Sequence, residues 1–269
     1  MRFAVVGHVE WVEFARVPHL PRLGEIVHVS ETWAEPAGGG GVSAVQLAKL
    51  AGTADFYTAL GDDELGRRAA VGLTALGVRV HAVWRDEPQR RAFVHVDDAG
   101  ERTITVIGER LVPHRSDPLP WDDLAAADGV YFTGGDPESL RAARAARVLT
   151  ATPRTLETLV RARVELDALV GSGRDPGERY EPGDIEPPPR LVVRTLGADG
   201  GVCEPGGSFA ASPPPGPVVD TYGAGDSFAA GLTYGLAAGW SREEAIAFAA
   251  RCGAAALTGP GAFAGQLTL

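Results

Sequence analysis

The 269-residue chain is 45% hydrophobic and 22% charged, enough apolar side chain for one large core and too ordered a composition for a disordered polymer. A formal net charge of -10 repels a nucleic-acid backbone, and the arginines are scattered rather than gathered into a stripe, which argues against nucleic acid as a partner. Two isolated cysteines, Cys203 and Cys252, form neither a disulfide framework nor a zinc motif, and no apolar run is long enough to span a bilayer.

The run Arg2–Gly7 reads as a short buried strand and not as the charged start of a signal peptide, so a cytoplasmic location is expected. Val12 to Trp33 then breaks the pattern. The glycine cluster Gly38–Gly41 opens a mostly buried helix whose apolar positions are Val42, Val45, Leu47, Ala48 and Leu50, with Gly52 as its stop. Strands are expected at Asp55–Leu60, Arg79–Trp84, Gly129–Thr133, Ala168–Val170 and Leu191–Leu196. Helices are expected between them at Glu64–Leu76, Pro137–Ala146 and Arg154–Arg163. Such alternation predicts a largely parallel sheet covered on both faces. Arg91 to Val106 interrupts it again: two alternating runs flank Asp97-Asp-Ala-Gly100, which predicts a hairpin. The Pro-rich stretches Glu181–Pro189 and Ser212–Pro217 read as connections inside one domain covering residues 1–269.

Lys49 is the only lysine, and it lies outside any G-x-x-x-x-G-K-[ST] or V-A-I-K pattern, so Walker-type and protein-kinase phosphate sites are absent. Phosphate chemistry would then rest on backbone amides, arginine and metal. Val218-Val-Asp-Thr-Tyr-Gly-Ala-Gly-Asp-Ser-Phe-Ala-Ala-Gly231 supplies such a site: an extended approach, a glycine turn, then a helix of small residues running to Gly239. It places the amides of Gly223, Ala224 and Gly225 at a helix N-terminus, where unpaired N–H groups and the positive dipole end bind anions. Asp226, in the first turn, is placed to take a proton from an attacking hydroxyl.

This run resembles the second signature of the ribokinase-like (pfkB-type) carbohydrate kinases. Gly38–Leu50 is similar to that family's first glycine-rich signature, Gly61–Gly66 to its G-D-D-x-x-G segment, and Thr195–Gly200 to its T-L-G-x-x-G nucleotide loop. The resemblance implies an α/β three-layer sandwich with a central, mostly parallel sheet and a small β lid inserted at about 12–33 and 91–106. It implies transfer of the γ-phosphoryl of ATP to an alcohol of a sugar, nucleoside or related small molecule, with Asp226 as base. Thr195, Gly197 and Gly200 match nucleotide-lining positions, Gly39 and Gly40 fall in the substrate signature, and Asp220 matches a carboxylate beside a monovalent cation such as K⁺. Magnesium is expected to bridge the phosphates, and Arg154 to assist.

Three positions depart from the family pattern. A sugar-gripping Asp is expected five residues after Gly7, where Val12 stands; Glu10 and Glu13 flank it and are read as pointing to the opposite strand face. Val42 occupies the place of an Asn, with Ser43 as the alternative alignment. The family's N-x-x-E magnesium segment reads Ser172-Gly-Arg-Asp175, so Asp175 is the expected acid and Arg174 an alternative phosphate contact. The acceptor is therefore expected to lack the usual diol clamp, and either to be less polar at that end or to carry a group met by Glu10, Glu13 or Arg91. A homodimer formed through the lid is also expected. The competing functional reading is a nucleotide-binding regulatory protein of the same fold that has lost turnover. A dinucleotide-binding oxidoreductase built on Gly38–Gly41 is disfavoured, because that cluster does not follow the first strand directly.

Overall fold

A computed structural model describes all residues from Met1 to Leu269. In chain order the elements are β1 (Phe3–Val6), β2 (Glu10–Arg16), β3 (Glu31–Ala37), α1 (Gly38–Ala51), β4 (Ala54–Gly61), α2 (Glu64–Ala75), β5 (Val78–Arg85), β6 (Arg91–Val96) and β7 (Arg102–Ile107). There follow β8 (Gly129–Phe132), α3 (Pro137–Ala143), β9 (Val148–Ala151), α4 (Leu156–Ala162), β10 (Ala168–Ser172), β11 (Val192–Thr195), β12 (Gly201–Glu204), β13 (Gly207–Phe209), α5 (Ala224–Ala237) and α6 (Arg242–Ala256).

Nine strands form the central sheet in the order β13-β12-β11-β10-β9-β8-β1-β4-β5. All neighbours from β5 to β11 are parallel, and β12 and β13 add an antiparallel edge. Alternation along β1 shows how the layers are built: Phe3 and Val5 enter the core shared with α1 and α5, whereas Ala4 and Val6 enter a second core with Leu140, Leu149 and Leu159. The helices begin where local chemistry satisfies their free amides. Asp63 accepts from Gly66 N at 2.8 Å, Asp136 accepts from Ser139 N at 2.9 Å ahead of Pro137, and Ser241 and Glu244 form a reciprocal capping box.

β9, the β12–β13 hairpin and α6 are elements that the periodicity did not predict, and α3 and α4 are shorter than expected. β9 has only four residues, one of them Thr150, whose hydroxyl is buried against Thr233 of α5 at 2.6 Å. A polar residue inside so short a run conceals the strand.

The two off-pattern stretches come together as a separate four-stranded sheet, β3-β2-β6-β7. Its inner pair, β2 and β6, is parallel, and its outer pairs are antiparallel. Phe14 stacks on Trp33 with centroids 4.9 Å apart and meets the edge of Tyr222 at 5.1 Å, which seats this sheet against the approach to α5. β7 is exposed along its whole length.

Candidate active site

Adjacent to β1 the chain order of the central sheet reverses, with β4 on one side and β8 on the other. In open α/β sheets such a switch point leaves a crevice beyond the carboxyl ends of the strands. A cleft of about 670 Å³ opens here. Residues at or just beyond the ends of five strands line it: His8, Thr133, Thr152, Ser172 and Thr195. The second sheet contributes Glu10, Arg102, Ile104 and Val106, and the start of α5 contributes Gly223, Gly225 and Asp226.

The α5 turn has the geometry its glycines demand. Gly223 has φ 74°, and a Cβ there would lie 3.0 Å from Val42 Cγ1, so both backbone and space require glycine. A Cβ on Gly225 would meet nothing within 4 Å, because that face opens on the cleft. The first intrahelical bond runs from Ser227 N to Gly223 O at 2.9 Å, leaving the amides of Ala224, Gly225 and Asp226 without helical partners.

Asp226 lies beside these amides. Gly39 covers it so closely that a Cβ on that glycine would sit 3.0 Å from Asp226 Oδ1, and Ser43 Oγ donates to the Asp226 carbonyl at 3.2 Å. Its carboxylate accepts no hydrogen bond from the protein. Burial, reinforced by the like charge of Glu178 and opposed by Arg102 and Arg154, pushes its pKa up to about 7.

Glu178 is the residue that sequence reasoning missed. After Ser172 the chain turns through Asp175, whose Oδ1 accepts from Gly177 N at 2.8 Å. That turn returns Glu178 to the end of β10, where its Oε2 accepts from Ser172 N at 2.6 Å. Arg154 then bridges both acids, 2.5 Å from Asp175 Oδ2 and 2.7 Å from Glu178 Oε1. The signal was present as Asp175-Pro-Gly177, a turn sequence that reverses the chain before Glu178.

Other expected positions fall elsewhere. Arg91 pairs with Glu13 on the outside of the second sheet at 4.0 Å, and its neighbour Arg90 lines the cleft instead. The reading of Glu10 is reversed, since residues two apart on a strand share a face: Glu10 projects with Val12 and Phe14, lines the cleft and accepts from Arg90 Nε at 2.7 Å. Val12 is fully buried in the core, and Val42 packs beneath Gly223, so neither valine reaches the cleft. Gly40 backs onto His8 and Phe56 below the floor. Thr195 lines the cleft, whereas Gly197 (φ 64°) and Gly200 (φ 80°) shape the turn behind it.

Asp220 is wholly buried behind the turn, its oxygens accepting from Tyr222 N at 2.9 Å and Gly261 N at 3.0 Å. Glu35 of β3 joins the same loop by accepting from Ala262 N at 2.7 Å, and Lys49 reaches the Phe263 carbonyl. Burial, with Asp220 nearby, raises the Glu35 pKa, and burial lowers that of Lys49.

The family profile described as pfkB family carbohydrate kinase matches residues 2–170 and 162–268. The chain belongs to that family. It is thus a carbohydrate kinase, a phosphotransferase with an alcohol acceptor. It is 29% identical to an ATP-dependent ribose-1-phosphate kinase from Halopiger xanaduensis over 94% of this chain and 91% of that one. It is also 29% identical to a fructokinase from Klebsiella pneumoniae, over 84% and 87% of the two chains. Ribokinase from Cryptococcus neoformans, solved with ADP, superposes with a TM-score of 0.75 at 25% identity, covering 99% of this kinase and 97% of that chain. The expected sandwich with its smaller second sheet is therefore the fold of a pfkB carbohydrate kinase.

Proposed function

We propose that this kinase transfers the γ-phosphoryl group of ATP to a hydroxyl of a sugar or closely related molecule, with Asp226 as general base. The observation that carries the reading is the pairing, at one helix terminus, of a carboxylate free of protein hydrogen bonds with three uncommitted amides. Those amides supply donors where charge spreads over the transferred phosphoryl group. An acceptor hydroxyl beneath Gly39 would attack phosphorus in line, forming a new O–P bond as the bond to the β-phosphate oxygen breaks. Its proton would pass to Asp226, whose pKa of about 7 is matched to taking a proton near neutral pH. The adenine nucleotide would lie along β10 and β11, with Thr195 at its edge and Arg174, paired with Asp199, beside it.

Two carboxylates, Glu178 and Asp175, line that end of the cleft, and such a small set suits Mg²⁺, which takes one or two carboxylates and completes its shell with phosphates and water. Bound there, magnesium would neutralise the phosphate oxygens. Behind the turn, buried Asp220 lies near Glu35, whose other charged neighbour is Lys49, and Asp220 would be the carboxylate beside a monovalent cation such as K⁺. The second sheet stands over the acceptor end and would act as a lid that excludes water during transfer.

Turnover of a sugar panel by the Asp226→Asn variant tests the reading. A loss of about 10²- to 10⁴-fold is expected, with ATP affinity little changed. Turnover within a few-fold of the parent would remove Asp226 from the role.

A further inference from the structure

At the end of β10 two acids are fixed from one side and neutralised from the other. Asp175 Oδ1 accepts from Gly177 N at 2.8 Å, and Glu178 Oε2 accepts from Ser172 N at 2.6 Å, so a backbone amide orients each carboxylate. The two remaining oxygens both face Arg154. Its Nη2 donates to Asp175 Oδ2 at 2.5 Å and to Glu178 Oε1 at 2.7 Å, and its Nε donates to that same Glu178 oxygen at 3.1 Å. All four carboxylate oxygens are thereby engaged, and of their partners only the arginine side chain can leave without undoing the turn.

These are the same two acids that suit magnesium, and no third acid, histidine or cysteine completes a metal-binding cluster with them. A guanidinium and a divalent cation cannot share one pair of oxygens, because like charges at contact distance repel strongly in a partly buried cleft. Two acids and one arginine carry one net negative charge, and a divalent cation added to them would leave one net positive charge. Arg102, which also acts on Asp175, enlarges that excess, and Asp226, with its pKa of about 7, is only partly ionised at neutral pH and offsets a fraction of it. The phosphates of a nucleotide supply the negative charge that is lacking. Arg154 is placed to meet them: it is rooted just beyond the end of β9, lines the cleft, and acts electrostatically on Asp226, His8 and Arg110, so its guanidinium projects towards the middle of the cleft.

We propose that Arg154 is an internal counter-ion of the metal-binding acids: in the nucleotide-free protein it occupies Asp175 and Glu178, and it yields them to a divalent cation only when nucleotide phosphates arrive to take its charge. This rests on the phosphoryl-transfer reading of the site and assigns to Arg154 the order in which the site fills. Metal enters with nucleotide and not before it. A planar, forked guanidinium suits both stations, since carboxylates and phosphates present paired oxygens to it in the same way. The backbone amides keep both acids in place after the arginine departs.

The test titrates the protein with Mn²⁺ in the absence of nucleotide and counts the free ion by electron paramagnetic resonance. Arg154→Gln should bind Mn²⁺ at least about tenfold more tightly than the parent, and Arg154→Lys, which keeps the charge without the fork, should fall between the two. Adding Glu178→Gln to Arg154→Gln should abolish the gain and so locate it at these acids. Thermal melting of each variant confirms that it folds. Binding by Arg154→Gln no tighter than by the parent would overturn the proposal, and looser binding would show a purely structural pair whose acids drift apart. The parent supplies a second measurement that needs no change at Arg154: Glu178→Gln alone should leave its weak Mn²⁺ binding where it was, and a loss there would mean that the acids are already open. None of these titrations depends on turnover, so the two levels of argument fail separately. Asp226-dependent phosphorylation by a parent that binds Mn²⁺ through Glu178 without nucleotide would sink the counter-ion and leave the kinase reading standing. An Arg154→Gln gain that Glu178→Gln removes, in a protein that phosphorylates no acceptor, would do the reverse.

Discussion

Replacing Asp226 by Asn should stabilise the protein at the pH where it works while disabling it. In the unfolded chain the carboxyl titrates near 3.8, and in the folded protein near 7, because burial and Glu178 disfavour its ionised form. The folded state therefore holds a proton that the unfolded state has released across that interval, and the contribution of Asp226 to stability falls as pH rises from about 4 to about 7. About three pH units at 1.36 kcal/mol each set an upper bound of about 4 kcal/mol, and solvent in the open cleft screens part of it, leaving roughly 1 to 3 kcal/mol. Asn keeps the shape and never ionises. Urea unfolding at pH 8 should show Asp226→Asn to be more stable than the parent by that amount, with the gap closing towards pH 4. Equal stability of the two proteins at pH 8 would show that the carboxylate is not disfavoured there, and the account of its raised pKa would fail.

Three further outcomes follow from the site. The acid limb of the kcat/KM profile should fall tenfold per pH unit below about 7, and Glu178→Gln should move that limb down by roughly one pH unit by removing the like charge and releasing Arg154; an unmoved limb would mean that Glu178 does not act on Asp226. Gly225→Ala should leave the melting temperature in place yet cut kcat at least about tenfold, because its new methyl group occupies the open face where phosphate approaches, whereas Gly223→Ala should cost roughly 1 to 3 kcal/mol of stability through its φ and its contact with Val42. If both variants lose only stability, the turn is structural and not an anion site. Removing the hairpin tip Asp97–Gly100 should raise ATP hydrolysis relative to sugar phosphorylation, since Gly100 O accepts from Thr221 Oγ1 at 3.3 Å in the approach to α5. A constant ratio of the two rates would argue against a lid.

What could be read from the residues alone was whatever local chemistry dictates. The turn before α5 announces itself because glycines, an acid and small helical residues follow one another without interruption, and the β6–β7 hairpin because its turn residues stand between alternating runs. Contacts made by chain reversal were less legible. Counting forward from Ser172 stops at Asp175, yet the pyrrolidine and glycine beyond it return Glu178 to the strand end. Arg90 was passed over for Arg91 because the arginine inside the strand pattern draws the eye. The residue just before that strand is instead fixed at the cleft by its buried neighbour Gln89, whose side chain bonds Gly61 N at 3.1 Å and Val9 O at 2.9 Å. Arg110 lies outside every regular element, where periodicity carries no information.

β3 ends at Ala37 and α1 begins at Gly38, with no loop between them. The second sheet is consequently joined to a core helix as a lever is joined to its axle, and Glu35 fastens the same strand to the loop that carries Ala262. A free flap could swing without disturbing the floor beneath it. Here any tilt of the sheet must be taken up by the peptides of Gly38 and Gly39, and Gly39 is the backbone that covers the Asp226 carboxylate. If Asp226 is the base as proposed, cover and base would share one mechanical coordinate, and an acceptor that drew the sheet down would reset the gap at the reacting proton in the same movement.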